Sequence, residues 1–546
     1  MIERKKRDMK NLWIGATLAA IALVCTRPAA AQIGIVSVTG GRVRGVTVEG
    51  ITSFKGIPFA APPVGNLRWQ APQAVIPWQG IKKADHFGPS CMQDPRMLKL
   101  FGAPPEMSED CLYLNVWTPA KSARERLPVI VWIYGGAYEY GTASAPLYDG
   151  TRLAKKGVVL VSVAYRTGAL GFLADRQLSA ESPRHVSGNY GLRDAIAGLE
   201  WVHANIARFG GDPSRVTVLG ESAGGYTVSV LAVSPSARSL FRRAISESGG
   251  GAFAPPKFGA PSYAASNTPF RLLASAETVG RKFLARLGTP HIAAARALPA
   301  GVIQKLSDSA AFDSRIQPVF DGEVLPADAY DLYEAARFND TPILVGTNAD
   351  EGGLYRAEFA GMTPAKFEAR VRAAYGKHAQ AILEVYPHAT NSQALQAAED
   401  LLFRDAGFAW ETWAWARLQS QRGHGKAYLY YFDQHSPYLT LGPVHGQDLY
   451  YVFGNLAAPP PTGHAPEPAD RALSSLTESY WVNFAKTGDP NGPGLPHWPA
   501  FTVSSQRVMY LDAHPHVGPV PNLQKLKVLD AYFAWLREEA KKKRAN

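Results

Sequence analysis

A serine set between glycines is where chemistry is first visible in this chain. Gly220-Glu221-Ser222-Ala223-Gly224 places small residues two positions either side of Ser222, the spacing that lets a backbone bend sharply and lift a hydroxyl clear of a strand end. A serine hydroxyl is a weak nucleophile by itself. It needs a base, an acid to orient that base, and donors for the oxyanion its attack creates. Tyr134-Gly135-Gly136-Ala137-Tyr138 offers the donors, because backbone amides beside glycine can approach a reacting centre with no Cβ in the way. With the amide of Ala223, those of Gly136 and Ala137 make the expected three-donor hole, each donor worth about 10²–10³ in rate. The acid is expected after a later strand, in Gly346-Thr347-Asn348-Ala349-Asp350-Glu351-Gly352; on residue chemistry alone Asp350 and Glu351 are equivalent. Nine histidines follow Glu351. His445 is preferred as base because Gly442-Pro443-Val444-His445-Gly446 is a glycine-flanked loop between an apolar run ending near Phe432 and another at 450–453, and because serine, acid, histidine is a known chain order for such a set. His514-Pro515-His516 carries no further ligand at metal-site spacing, so no metal is expected there.

The elements that must position these groups are readable from periodicity. Val216, Val218 and Leu219 form a short β-branched run before Gly220, and an apolar helix through Val230 and Leu231 follows Ser222. Continuous apolar runs at 112–117, 128–134, 158–165, 341–346 and 427–432 read as strands, and 128–134 as a central one. The stretch 191–208 has helical periodicity, with Leu192, Ile196, Leu199 and Val202 on one face, and ends at Gly210-Gly211-Asp212-Pro213. Strands alternating with helices predict a mostly parallel sheet covered on both faces. Residues 33–55 alternate as β-hairpins, and the Pro-rich stretch 54–63 reads as a surface crossing. Residues 251–330 read as loops and short helices over the site, 457–470 as an exposed loop, and 363–385 and 394–420 as amphipathic helices. The aromatics of the second, Phe403, Phe408, Trp410, Trp413 and Trp415, are assigned to the core.

At 546 residues and 46% hydrophobic content the chain can bury a large core, and no linker divides it, so 32–546 is expected to be one domain. The first 31 residues read as a cleaved export signal: a basic start (Arg4, Lys5, Lys6, Arg7, Lys10), an apolar run from Leu12 to Cys25, and Ala29-Ala30-Ala31 before the cut. That run is short of the roughly 20 residues a membrane span needs. Its removal takes six Lys/Arg and two Asp/Glu, so the formal charge falls from +11 to +7. The remaining excess is dispersed, apart from Lys541-Lys542-Lys543-Arg544, and does not suggest a nucleic-acid partner. Cys91 and Cys111 remain as a pair in an exported chain and are expected to bond, closing 19 intervening residues at about 3 kcal/mol of stabilisation. A periplasmic or secreted location follows.

In FKGIPFAAPP (54–63), SEDCLYLNVW (108–117), VWIYGGAY (131–138), YRTGALGFL (165–173), the run 189–213, GESAGG (220–225), NADEG (348–352), HGQD (445–448) and YWVNFAKTGDPN (480–491), the chain resembles the type-B carboxylesterases of the cholinesterase/carboxylesterase family, across about 35–535. The resemblance implies the α/β-hydrolase fold, with helices on both faces of the sheet and insertions over the site. It also implies a small-molecule ester as substrate, hydrolysis through an acyl-enzyme, and no cofactor. It selects Glu351 as the acid, supports His445 as the base and the Cys91–Cys111 bridge, and implies a salt bridge between Arg68 and Glu109. Glu221 resembles the family's acidic residue beside the nucleophile, and Ser248 a hydroxyl supporting the histidine. Two departures from the family pattern matter, one for the oxyanion hole and one for the substrate. Ala137 replaces a third glycine but keeps its amide, and Phe101 stands where cholinesterases place a tryptophan. A phenyl face holds a quaternary ammonium less well than indole, so choline esters are disfavoured. Substrate identity and oligomeric state are not written in these motifs.

Overall fold

Runs rich in β-branched and aromatic residues make central strands buried on both faces, such as Val159–Val163 and Ala427–Phe432, and eleven strands in all build the central sheet. In chain order they are β1 (Val46–Val48), β2 (Ile51–Pro58), β3 (Tyr113–Thr118), β4 (Leu127–Ile133), β5 (Val159–Val163), β6 (Gly211–Glu221), β7 (Arg243–Glu247), β8 (Ile343–Asn348), β9 (Ala427–Phe432), β10 (Arg507–Leu511) and β11 (His516–Pro519). A computed structural model of the chain describes residues 33–250, 252–254, 270–309, 316–458 and 464–545. The expected export signal therefore lies outside the described residues, as do parts of the 251–330 and 457–470 stretches.

Across the sheet the order is β11-β10-β9-β8-β7-β6-β4-β5-β3-β2-β1. From β5 to β10 every neighbouring pair is parallel, and antiparallel strands close both edges. The chain leaves β4 for β5 on one side and returns to β6 on the other. Such a reversal opens a crevice at the strands' carboxyl ends, where ligands bind in open α/β sheets. The helix Tyr190–Asn205 packs against β6, and Pro468–Thr487 against β4 and β6. The first is seated closely: a Cβ on Gly198 would lie 2.5 Å from Val163 Cγ1 of β5.

Two expectations need correction. The Pro-rich stretch 54–63 is not a surface crossing, because residues up to Pro58 form β2, paired between β1 and β3. Its register shifts between Phe54 and Ile57, where Gly56 sits at φ +68° with His86 O only 2.6 Å from where a Cβ would stand. A glycine bulge of this kind lets an interrupted sequence stay in the ladder. Residues 394–420 are also not one plain amphipathic α-helix. One continuous helical rod runs α at Asn391–Glu399, π at Asp400–Ala409 and α again at Trp410–Arg422. Cys91 and Cys111 are bonded, and Arg68 meets Glu109 at 2.6 Å. Among the described residues no helix is long and apolar enough to cross a membrane, and no His/Cys/Asp/Glu group could hold a metal.

Candidate active site

Loops following five strands that lie side by side, β4, β6, β7, β8 and β9, bring the chemistry together. Ser222 comes directly after β6, at φ 54° and ψ −124°, ahead of the helix Ala223–Val233. A non-glycine residue at such a φ is strained, and its neighbours show why the backbone accepts it. A Cβ on Gly220 would lie 2.4 Å from the carbonyl of Gly224, one on Gly224 2.0 Å from Ile133 O, and one on Gly225 2.9 Å from Gly249 Cα. Only glycines permit this crossing of β4, β6 and β7. Ser222 N–H is anchored on Glu247 O at 2.9 Å. Ala223 opens its helix, so its N–H has no acceptor one turn earlier.

The loop after β4 turns tightly beside the serine. A Cβ on Gly135 would touch Ser222 Cβ at 2.9 Å, and one on Gly136 would meet Tyr140 O at 2.2 Å. Gly136 has φ +116° and Ala137 φ +55°, so alanine holds here a conformation that costs it energy. Gly136 O accepts the amides of Glu139 and Tyr140 at 2.9 and 3.0 Å, which ties the turn.

Glu351 and Asp350 part company in the fold. Glu351 is fully buried, and its Oε2 accepts from His445 Nδ1 at 2.6 Å. Its Oε1 accepts from Ser248 Oγ at 2.6 Å and from the Asn348 amide at 2.8 Å. Asp350 is half-buried, and its amide donates to Pro443 O at 3.1 Å. The acid and histidine loops are laced by Asn348, whose Nδ2 donates to Val444 O at 2.8 Å and to Asp448 Oδ1 at 3.2 Å. Tyr430 OH completes Asp448 at 2.9 Å. Asn348, Tyr430 and Asp448 received no role from sequence reasoning, although Asn348 and Asp448 stand inside the NADEG and HGQD runs.

On its other side His445 Nε2 lies 3.3 Å from Glu221 Oε1. Burial pulls this imidazole down, but the carboxylates of Glu221 and Glu351 outweigh it and push it up to about 9. Burial pushes Glu221 up to about 8, against the charge of His445. Burial, reinforced by Glu351, pushes Asp448 up to about 6. Deeper in, buried Glu247 accepts from Trp481 Nε1 at 2.5 Å and is held well above the usual carboxylate range by burial.

Ser222, Ala223, Ala137 and His445 line one cavity of about 300 Å³, with aromatic walls from Tyr138, Tyr226, Phe359, Phe403 and Phe408. Arg370, Glu358 and Gln317 also line it. Phe403 and Phe408 thus belong to the cavity wall as well as to a packed layer. Their assignment to core alone was wrong for these two, while Trp410, Trp413 and Trp415 are buried as expected. Phe101 is not among the lining residues. Its ring packs on Tyr140, at 6.3 Å between centroids, and Tyr140 is what reaches the cavity.

A model of the carboxylesterase family matches residues 32–529. The fumonisin B1 esterase of Sphingopyxis macrogoltabida is 37% identical over 488 residues, covering 84% of this chain and 83% of that one. The para-nitrobenzyl esterase of Bacillus subtilis (strain 168) is 34% identical, covering 91% and 98%. The solved carboxylesterase of Geobacillus stearothermophilus superposes with a TM-score of 0.78 at 31% identity, covering 91% of this chain and 99% of that one. With a family match spanning nearly the whole chain, on a sheet that carries its serine, acid and histidine in neighbouring loops, this protein belongs to the carboxylesterase family of α/β-hydrolases and is a carboxylic ester hydrolase.

Proposed function

We propose that Ser222, His445 and Glu351 form the hydrolytic triad of an exported serine esterase working through an acyl-enzyme. The observation that carries this is the 2.6 Å contact between His445 Nδ1 and Glu351 Oε2, with His445 and Ser222 on the wall of one cavity. Ser222 Oγ attacks the ester carbonyl while His445 Nε2 takes its proton. Glu351 holds the Nδ1–H tautomer and favours the imidazolium that forms. The amides of Gly136, Ala137 and Ala223 receive the oxyanion. His445 then protonates the departing alcohol, water enters, and the same proton transfers release the acid and restore Ser222.

Glu221 acts beside the base as a proton-sharing neighbour, and Ser248 as a support for Glu351. The aromatic walls favour neutral esters with an apolar acyl or alcohol part. The activities in the names of the two curated relatives, on para-nitrobenzyl and fumonisin B1 esters, mark the range to be surveyed. Export is supported by the Cys91–Cys111 bond, since disulfides persist in oxidising compartments. A mature chain beginning at Gln32, read by N-terminal sequencing, is the expected product.

Hydrolysis of activated esters by the purified protein and its variants tests the assignment. Ser222→Ala and His445→Ala should be inactive, and Glu351→Gln should lose about 10⁴ in kcat, as triads do when the tautomer is no longer held. Asp350→Asn should stay near wild type. Loss in Asp350→Asn with Glu351→Gln unimpaired would reassign the acid.

A further inference from the structure

The ring of Phe408 lies flat against the imidazole of His445, with centroids 4.6 Å apart and planes 25° from parallel. Phe408 is supplied by the π-helical segment Asp400–Ala409. In an α-helix, residues five apart point about 140° away from each other; with i→i+5 bonding they come onto one face. The cavity-lining residues of this segment are two such pairs, Leu402 with Gly407 and Phe403 with Phe408. The wide turn is therefore what allows both phenylalanines to reach the site.

A π-helix is a costly backbone, and this one is held by ion pairs within it and by polar contacts from neighbouring elements. Arg404 bonds Asp400 at 2.7 Å and Asp405 at 2.8 Å, Tyr386 OH donates to Asp405 at 2.8 Å, and Lys525 Nζ donates to Asp400 at 3.0 Å. At the other end Tyr226 OH donates to Gly407 O at 3.0 Å, and its ring packs on Phe408 at 6.0 Å. Phe408 is buried, so its face is not shared with bulk water.

We propose that Phe408 is a positioning residue for the hydrolytic reaction, delivered by the π-helix to fix the plane of the His445 imidazole and to favour its protonated form through the π-face. The inference rests on His445 being the base. A phenyl face attracts a cation most strongly where water is excluded, and in the reactive form, whose imidazole starts neutral, the imidazolium arises as Ser222 Oγ gives up its proton. The ring thus acts on the charge that develops during reaction. The charged groups facing His445 are Glu221 at the end of β6, Glu351 after β8 and Asp448 on its own loop. On the π-helix, Asp400, Arg404 and Asp405 are engaged with one another.

The test is the pH dependence of kcat/KM for Phe408→Leu and Phe408→Tyr beside wild type and His445→Ala. Leucine keeps an apolar filler and removes the quadrupole; tyrosine keeps the ring. Without the ring the imidazolium is less favoured, so the acidic limb should move to lower pH by about 0.4–1.5 units while kcat falls by about 2- to 30-fold. Phe408→Tyr should restore both. A limb that stays in place or moves upward in Phe408→Leu, with His445→Ala inactive, overturns the role of the ring and leaves the base assignment intact. Turnover surviving in His445→Ala would instead overturn the reading on which it rests. If Phe408→Leu does not fold, Phe408→Met supplies the same comparison, and limb positions in Phe408→Met and Phe408→Tyr that match wild type equally overturn it.

Discussion

Ser248 is the residue through which the geometry around Glu351 can be tested most sharply. The buried carboxylate of Glu351 accepts three hydrogen bonds: His445 Nδ1 on Oε2, and Ser248 Oγ with the Asn348 amide on Oε1. Ser248→Ala removes one of these and leaves a buried charged oxygen with a single partner. A hydrogen bond to a charged group contributes about 1.5–3 kcal/mol. If the whole of it serves to hold the carboxylate against the histidine, kcat falls by about 10- to 150-fold at 1.36 kcal/mol per decade. Ser248 also sits at φ 44°, a left-handed conformation disfavoured for alanine and free for glycine. Ser248→Gly therefore removes the same donor without the backbone penalty. The assay is kcat on an activated ester at saturation, with the urea midpoint of each variant measured alongside. The expected pattern is a similar kcat loss in both variants, with Ser248→Gly the more stable. A kcat within twofold of wild type in both, at lowered stability, would mean that Asn348 and His445 alone place Glu351, and the reasoning would fail.

Other consequences follow from the same geometry. Because the Glu221 and Glu351 carboxylates outweigh burial at His445, wild-type kcat/KM should climb with pH into the alkaline range, up to about 9. Glu221→Gln leaves burial opposed by fewer carboxylates, so the acidic limb should move to lower pH; an upward shift in the profile contradicts the contact at 3.3 Å. Gly224→Ala places a Cβ 2.0 Å from the backbone oxygen of Ile133, and circular dichroism with activity measurements should find little folded, active enzyme. Active protein of normal stability would show that the elbow can relax. Replacing Cys91 and Cys111 together by alanine should cost about 3 kcal/mol in denaturant unfolding while leaving kcat near wild type; unchanged stability would remove the loop-closure account.

The elbow was legible because a β-branched run, a glycine turn and an apolar helix are local signals, and Gly220, Ser222 and Gly224 sit where they meet. The pair Asp350 and Glu351 was not resolvable by chemistry, since two adjacent carboxylates differ only in which way the chain turns after β8. One turns into the core against His445 and the other stays half-exposed. Burial statistics for aromatic residues place Phe403 and Phe408 in the core, and nothing in the sequence marks where the backbone widens to i→i+5 bonds and both rings reach the cavity. Phe101 was placed at the substrate pocket from resemblance to relatives, but here Tyr140 takes the wall and Phe101 packs on it. Pro58 and Gly56 disguised a strand, since proline at a strand end and glycine at a bulge both read as turn.

The central claim is that Ser222 alone is activated for attack, by a histidine it does not neighbour in sequence. Intact-mass spectrometry after brief exposure to a fluorophosphonate tests this directly. One adduct per chain, mapped by peptide sequencing to Ser222 and absent from Ser222→Ala and His445→Ala, is the expected result. A wild-type protein that stays unmodified, or a Ser222→Ala variant that still gains the adduct, would contradict it.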